Sequence, residues 1–237
     1  MDKKTILITG ASGGLGEAMA DYFYNQGHKL ILHHFEHPLK LKENDRVKHI
    51  QADLTNYTAI KDMFEALRAE EPLLDVVINN AGISKSAVSW KVDKKDWEET
   101  IALNLSAPFY IIQQAIPWMR ENNFGRIINI SSVVAQTGVL GTSAYAASKA
   151  GLIGLTKTLS KELISFNITV NALSLGYFNK GMIRDVPDEF REEILKTIPA
   201  KELGSPLSIC KTIDFLTQQE TAYITGQTIN INGGLYN

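Results

Sequence analysis

Short apolar runs alternate with longer amphipathic stretches from one end of the chain to the other. Strand-like runs fall at residues 5–9, 29–33, 47–51, 76–79, 126–130, 168–174 and 228–231. Several are apolar at nearly every position, which predicts strands covered on both faces. The stretches between them repeat with the helical period. The clearest puts Ile60, Met63, Phe64 and Leu67 at i, i+3, i+4 and i+7, a single buried stripe. Strict alternation of strand and helix predicts parallel strands joined by right-handed crossovers. Residues 1–237 therefore read as one doubly wound α/β domain, a seven-stranded parallel sheet with helices on both faces. No repeat, low-complexity segment or Gly/Ser/Pro linker interrupts the pattern.

Composition narrows the class. The 237 residues carry 24 Lys and Arg against 26 Asp and Glu, a net charge of −2. So even a balance disfavours nucleic acid as the main partner, because that binding needs clustered positive charge. A chain of this size buries roughly 70% of its unfolded surface, enough for a core without disulfides or metal. Cys210 is the single cysteine, so no intrachain disulfide and no Cys-built metal cage is possible. Its neighbours Leu207 and Ile209 predict a buried, inert thiol. The first apolar run starts at Thr5, leaving no space for a leader, and no run approaches the length of about 18 residues that spans a bilayer. A cytoplasmic setting with no membrane partner is expected.

Candidate chemistry begins where the first strand ends. Thr9-Gly10-Ala11-Ser12-Gly13-Gly14-Leu15-Gly16 runs straight into the helical stretch 17–26. A glycine-rich turn there lets backbone approach a pyrophosphate, and the positive end of the helix dipole favours its charge. No Lys-Ser or Lys-Thr follows, which disfavours a triphosphate loop. Gly10, Ser12, Gly14, Leu15 and Gly16 are the expected dinucleotide contacts.

The glycine spacing T-G-x-x-x-G-x-G is followed by Asn79-Asn80-Ala81-Gly82, by Asn104 in a helical stretch and by Ser132 after the fifth strand. Then come Tyr145-Ala146-Ala147-Ser148-Lys149, Ile224-Thr225-Gly226-Gln227 and Asn232-Gly233-Gly234. In these motifs the chain resembles the short-chain dehydrogenase/reductase family, most of all its bacterial 3-oxoacyl-acyl-carrier-protein reductases. The resemblance covers essentially the whole chain. It implies a Rossmann-type fold and hydride transfer with a nicotinamide dinucleotide.

Residue chemistry points the same way. Reducing a carbonyl with a nicotinamide requires a proton for the developing alkoxide. Tyr145 is the candidate acid, although a phenol near pKa 10 is poorly matched to neutral pH. Lys149, four residues on, shares its helix face, and an ammonium about 5 Å away would draw the phenol toward neutrality. Ser132 can hydrogen-bond the substrate oxygen as its charge develops. The resemblance further implies that Tyr145 and Lys149 bind the nicotinamide ribose and that Asn104 holds a water linking Lys149 to solvent. It also implies that Asn80, Ala81 and Gly82 line the dinucleotide site. Taken singly, each motif has a bland explanation: an exposed helix face, a turn serine, a polar helix position. Their joint order around the phosphate loop disfavours that explanation.

Dinucleotide choice turns on the end of the second strand. Where the family places an NAD-selecting acid, this chain has His34; the glycine loop has Gly13 where many NADP-dependent members carry a cation. Without the acid nothing repels a 2′-phosphate, so NADP(H) is favoured over NAD(H). Glu36, two positions further on, keeps NAD(H) open. Asp53 and Leu54 match the positions beside the adenine. The five histidines are His28, His33, His34, His37 and His49. Solvated loop positions are expected for them in place of a metal site. Protonated His34 or His33 is expected to contact a 2′-phosphate, so NADPH affinity would weaken as pH rises through about 6.5.

Leu175 stands where the family usually has Pro, and Lys180 where it has a nicotinamide-contacting Thr. Gly176 and Phe178 are expected to keep a backbone contact with the nicotinamide. Residues 177–199 match the family's mobile substrate lid. Asn123 and Phe166 replace its carrier-gripping cations, with Arg120 and Arg126 nearby. Ala146, Ala147, Ala150, Gly151 and Gly154 indicate close helix packing; by resemblance that helix forms a subunit contact in a homotetramer or homodimer. The expected reaction is reduction of a small-molecule carbonyl substrate, a 3-oxoacyl thioester on a carrier protein or CoA. An alcohol, sugar or steroid dehydrogenase of the same family and a non-catalytic dinucleotide sensor are the alternatives.

Overall fold

Four consecutive buried residues, Thr5–Ile8, form β1. The other strands are β2 (Lys29–His34), β3 (Val47–Gln51), β4 (Val76–Asn79), β5 (Gly125–Ser132), β6 (Ile168–Leu175) and β7 (Thr228–Ile231). Each lies within two residues of the run that predicts it. The computed structural model describes residues 3–237, except for the side chains of 184 and 185. Among these residues the seven strands make one all-parallel sheet in the order β3-β2-β1-β4-β5-β6-β7.

The helices are α1 (Gly14–Asn25), α2 (Tyr57–Glu70), α3 (Lys94–Ile101), α4 (Ala107–Glu121), α5 (Val134–Thr137), α6 (Ser143–Leu163), α7 (Asp188–Thr197) and α8 (Pro206–Leu216). Asn56 caps α2 by accepting from the amides of Thr58 and Ala59. The helix then buries Ile60, Met63, Phe64 and Leu67, the four residues of the predicted stripe. These pack with α4 and α6 side chains against Leu7, Ile31, Val77 and Ile127 on one face of the sheet. Met19 and Phe23 of α1 and Ile209 and Ile213 of α8 cover the other face, over Ile6, Ile8, Leu30 and Leu32. Helices on both faces leave only the strand ends open. Chain direction around the sheet reverses between β1 and β4, which opens a crevice at their carboxyl ends.

Gly151 of α6 faces into the protomer: a Cβ there would lie 2.8 Å from a Leu105 methyl. Its smallness lets α6 approach the 102–106 segment, the close helix packing expected there. Ala147, Ala150 and Gly154 are exposed. The expected lid, 177–199, contains a short 3-10 turn, Met182–Asp185, and α7; the side chains of 184 and 185 lie outside the described residues. No helix among the described residues is long and apolar enough to cross a membrane.

Candidate active site

A cavity of about 770 Å³ opens at the carboxyl ends of β1, β2 and β4. Gly10, Ser12, Gly14, Leu15 and Gly16 line its floor, with Asp53, Leu54, Asn80, Ala81 and Gly82 around them. Glycine is required at several of these positions. Gly10 has φ +61°, and a Cβ on it would lie 2.9 Å from the Ala81 Cα. A Cβ on Gly16 would lie 2.2 Å from the Gly10 carbonyl oxygen, and one on Gly14 2.6 Å from the Gly181 nitrogen. Bare backbone at the amino end of α1, with no Cβ to fill the cradle, fits a pyrophosphate. Gly16→Ala is therefore expected to distort the loop and weaken dinucleotide binding roughly ten- to a hundredfold by calorimetry, the range set by overpacking costs of about 1–3 kcal/mol. Unchanged affinity would remove this loop from the site.

Side chains lock the loop to its neighbours. The Thr9 hydroxyl accepts from the amides of Asn80 (2.9 Å) and Ala81 (3.0 Å). Asn80 in turn donates to the carbonyls of Thr9 (2.8 Å) and Gly10 (3.1 Å). Thr9 precedes the first glycine of the motif, and that position is the signal from which its role was readable. After β3, Asp53 accepts from the Thr55 amide (2.9 Å) and hydroxyl (2.7 Å), a turn beside Leu54.

The four candidate catalytic residues lie just past the Gly82 end of the cavity. A Cβ on Gly82 would stand 3.1 Å from Asn104 Oδ1 and 3.4 Å from Lys149 Nζ. Ser132 ends β5 and accepts from the Val134 amide at 3.2 Å. Tyr145 and Lys149 sit one turn apart on α6, 8% and 3% exposed. The ammonium lies 5.8 Å from the phenol ring centre and donates to the Ile130 carbonyl at 2.7 Å. Ser131 donates to the Lys149 carbonyl at 3.0 Å, which fixes α6 against β5. Asn129 reinforces this by accepting from Asn79 and donating to Thr156, both at 2.9 Å.

Asn104 lies in a π-helical turn, Ala102–Ser106, between α3 and α4. The wider turn reorients a buried side chain, and such turns recur at functional sites. The Asn104 amide closes a two-way pair with the Ile83 backbone, 2.9 Å in each direction, and donates to Ser148 at 3.2 Å. It thus ties the loop after β4 to the turn of α6 between Tyr145 and Lys149.

Burial dominates the electrostatics. It pushes the Lys149 ammonium down to about 8. It also raises the Tyr145 phenol above its ordinary value; the Ser132 hydroxyl pulls back and the Tyr177 phenol pushes further up. The sequence argument, which counted nearby positive charge and not burial, expects the opposite direction. Desolvation of a nearly enclosed ring outweighs a cation that is itself desolvated. Burial raises the Cys210 thiol to about 12, in keeping with an inert core cysteine.

Three expected contacts fall elsewhere. His34 does not line the cavity: strand alternation sends its ring to the opposite face, against His49, with Nδ1 buried. His33, Phe35, Glu36 and His37 line it instead. His33 is 3% exposed; its Nδ1 accepts from the Gly10 amide at 3.2 Å, and Nε2 faces the Ala52 carbonyl at 3.0 Å. With both ring nitrogens of His33 engaged and its pKa lowered by burial, and with the His34 ring turned to the other face, the structure does not support the expected 2′-phosphate contact by a protonated His33 or His34. Gly176 and Phe178 are likewise absent from the cavity lining. Gly176 is small because Asn232 backbone would lie 2.7 Å from its Cβ, and the Phe178 ring packs on Gly204. Gly181 and Met182 line the cavity from the segment after β6, while Lys180 does not. Sequence reasoning also missed Lys95, Glu98, Glu99 and Leu103 on the cavity wall; neither α3 nor the turn after it carries a motif that marks them.

Comparison with known proteins gives a consistent picture. The sequence model of a family described as enoyl-(acyl carrier protein) reductase matches residues 10–236. Nodulation protein G of Rhizobium sp. (strain N33) is 38% identical over 233 residues, covering 97% of this chain and 95% of that protein. The 3-oxoacyl-acyl-carrier-protein reductase FabG of Rickettsia felis is 40% identical, with 98% and 96% covered. The reductase of that name from Staphylococcus aureus (strain MW2) is 36% identical over 242 residues, 98% of each chain.

Proposed function

The chain belongs to the short-chain dehydrogenase/reductase family, and from that premise we propose that this oxidoreductase reduces the 3-oxo group of an acyl thioester. The observation that carries the proposal is the buried group of Ser132, Tyr145 and Lys149 beside Gly82, at the end of a cavity shaped for a dinucleotide. When bound there, the nicotinamide supplies the hydride that reaches the carbonyl carbon. Ser132 donates to the carbonyl oxygen and orients it. The Tyr145 phenol gives its proton to that oxygen as the C=O bond opens, leaving an alcohol, and the phenolate is reprotonated from solvent. Lys149, charged below about 8, stabilises the transient phenolate and meets the ribose hydroxyls. Asn104 holds the Ile83 loop and α6 in register. Enclosure raises the resting phenol and in return excludes water from the reacting centre.

Relatives are named for substrates on acyl carrier protein. Of the two arginines near the expected carrier-gripping positions, one is withdrawn from the surface. Arg126 is fully buried, pushed down to about 10 by desolvation, and bonded to the carbonyls of Gly125 and Asn167. Arg120 lies 4.1 Å over the Phe166 ring. We therefore assign the acyl group to CoA or another small thiol. For the dinucleotide, Glu36 lines the cavity just after β2, where a carboxylate would accept from ribose hydroxyls and repel a 2′-phosphate. This carboxylate supports NAD(H) as the dinucleotide, against the NADP(H) favoured from the sequence. A cytoplasmic location and self-association complete the reading.

Steady-state oxidation of NADH and of NADPH with acetoacetyl-CoA, and with the same acyl group on a carrier protein, tests it. Higher kcat/KM with CoA is expected. Glu36→Gln is expected to shift the NADPH/NADH ratio of kcat/KM upward by about three- to tenfold, the worth of one exposed charge contact of roughly 1 kcal/mol. Faster turnover on the carrier would overturn the thiol assignment, and an unmoved ratio would overturn the role of Glu36.

A further inference from the structure

We propose that His33 is a positioning residue for the dinucleotide: its neutral imidazole, fixed between Ala52 and Gly10, holds the first turn of the glycine loop in its binding shape, and protonation releases that turn. The inference rests on the dinucleotide reading above and adds to it a pH-sensitive support for the cofactor loop.

Gly10 is the hub of the loop. Its carbonyl accepts from the Gly13 amide (3.2 Å) and from Asn80 (3.1 Å), which closes the turn on one side. Its amide has His33 Nδ1 as acceptor on the other side, at 3.2 Å. The neighbouring Ala11 amide bonds the His33 carbonyl at 2.8 Å, so the end of β2 holds the loop twice. A backbone N–H can only donate, so Nδ1 must be unprotonated. The ring proton then sits on Nε2 and is donated to the Ala52 carbonyl at 3.0 Å. Both contacts select one neutral tautomer. A second ring proton would set an N–H against the Gly10 N–H, and the turn would have to move away. The geometry admits no charged form in the binding shape.

The surroundings do not rescue the charge. The glycine loop from Thr9 to Gly16 has no titratable side chain. Across the ladder His33 pairs with Ile50, and on the same face Lys48 is held by Glu70 of α2. His34 turns to the other face and adds positive charge when protonated. Glu36 and His37 follow on the cavity wall, and Asp53 is tied to Thr55. Burial of the ring is the main cause that keeps it neutral at ordinary pH.

The test is calorimetric binding of NAD+ and NADP+ to the wild-type protein, His33→Asn and His33→Leu between pH 7.5 and 5.5. Asn puts an oxygen where imidazole has Nδ1 but cannot take up a proton. Wild-type affinity is expected to fall about five- to tenfold on acidification, the worth of one exchanged hydrogen bond. His33→Leu should bind weakly at every pH, and His33→Asn should restore binding without the acid fall. Referring each Kd to that of His33→Asn cancels the dinucleotide's own titration. A second readout needs no dinucleotide. The native pKa lies below the unfolded value, so wild-type stability is lost, relative to His33→Asn, as pH drops below about 6.5. Its Tm should fall more steeply there. An equal acid fall in wild type and His33→Asn, or none in either, overturns the proposal and leaves the dinucleotide reading intact. Failure of wild type to bind either dinucleotide at pH 7.5 overturns both.

Discussion

Tyr145→Phe is expected to lower kcat by about 10²–10⁴-fold, the range that loss of a positioned general acid produces. The substitution removes one oxygen from a side chain that is already almost fully enclosed. The ring keeps its packing against Val133 and Val134, so the fold should be retained. Dinucleotide affinity should change far less than kcat, even if the phenol gives up one ribose contact, because the cradle is lined mainly by the glycine loop and by the loops after β3 and β4. A selective loss of kcat with a nearly unchanged dinucleotide Kd therefore separates proton donation from binding. A variant that keeps wild-type turnover would show that the proton comes from another group, and Tyr177, whose phenol acts on Tyr145, would be the next to test.

Lys149→Met should separate activity from stability. The ammonium is fully enclosed, and burial brings it to about 8 against an ordinary 10.5. Between those values the unfolded chain binds more protons, so stability rises with pH through that window. Below about 8 the native state carries the full desolvation cost, on the order of 3 kcal/mol. Met removes that cost at similar volume but leaves the Ile130 carbonyl without its donor, a loss of about 1–3 kcal/mol. Tm at pH 7 should therefore stay near wild type or rise. Activity should fall by roughly 10²-fold or more, since the phenolate loses its cation. The rise of wild-type Tm between pH 8 and 10 should be blunted in the variant. Retained turnover would place Lys149 among structural residues; a large drop in Tm would contradict the cost assigned to its burial.

Strand positions, the parallel order and the buried stripe of α2 were all legible in the sequence, because each rests on a local period. So were the glycine loop and the order of Ser132, Tyr145 and Lys149. What was not legible shares a physical origin. Assigning His34 to the ribose end required knowing where β2 stops, and a shift of one residue moves a side chain to the other face. His33 before it and Phe35, Glu36 and His37 after it are the neighbours that reach the cavity. The atoms that forbid a side chain at Gly176 and Gly151 belong to Asn232 and Leu105, distant in sequence, so the packing role of these glycines was not legible. The π-helical turn at Asn104 has no period that composition reveals. The direction of the Tyr145 shift depends on total enclosure, which a helix-face argument does not count.

The central claim is that hydride reaches a carbonyl carbon while Tyr145 protonates its oxygen. The most direct measurement is transfer of label from NADH or NADPH deuterated at C4 of the nicotinamide to acetoacetyl-CoA, followed by mass spectrometry of the product. The account predicts 3-hydroxybutyryl-CoA with one deuterium at C3 from one face of the nicotinamide, and none formed at a comparable rate by Tyr145→Phe. Tight dinucleotide binding with no labelled alcohol from this or any other ketone would contradict it.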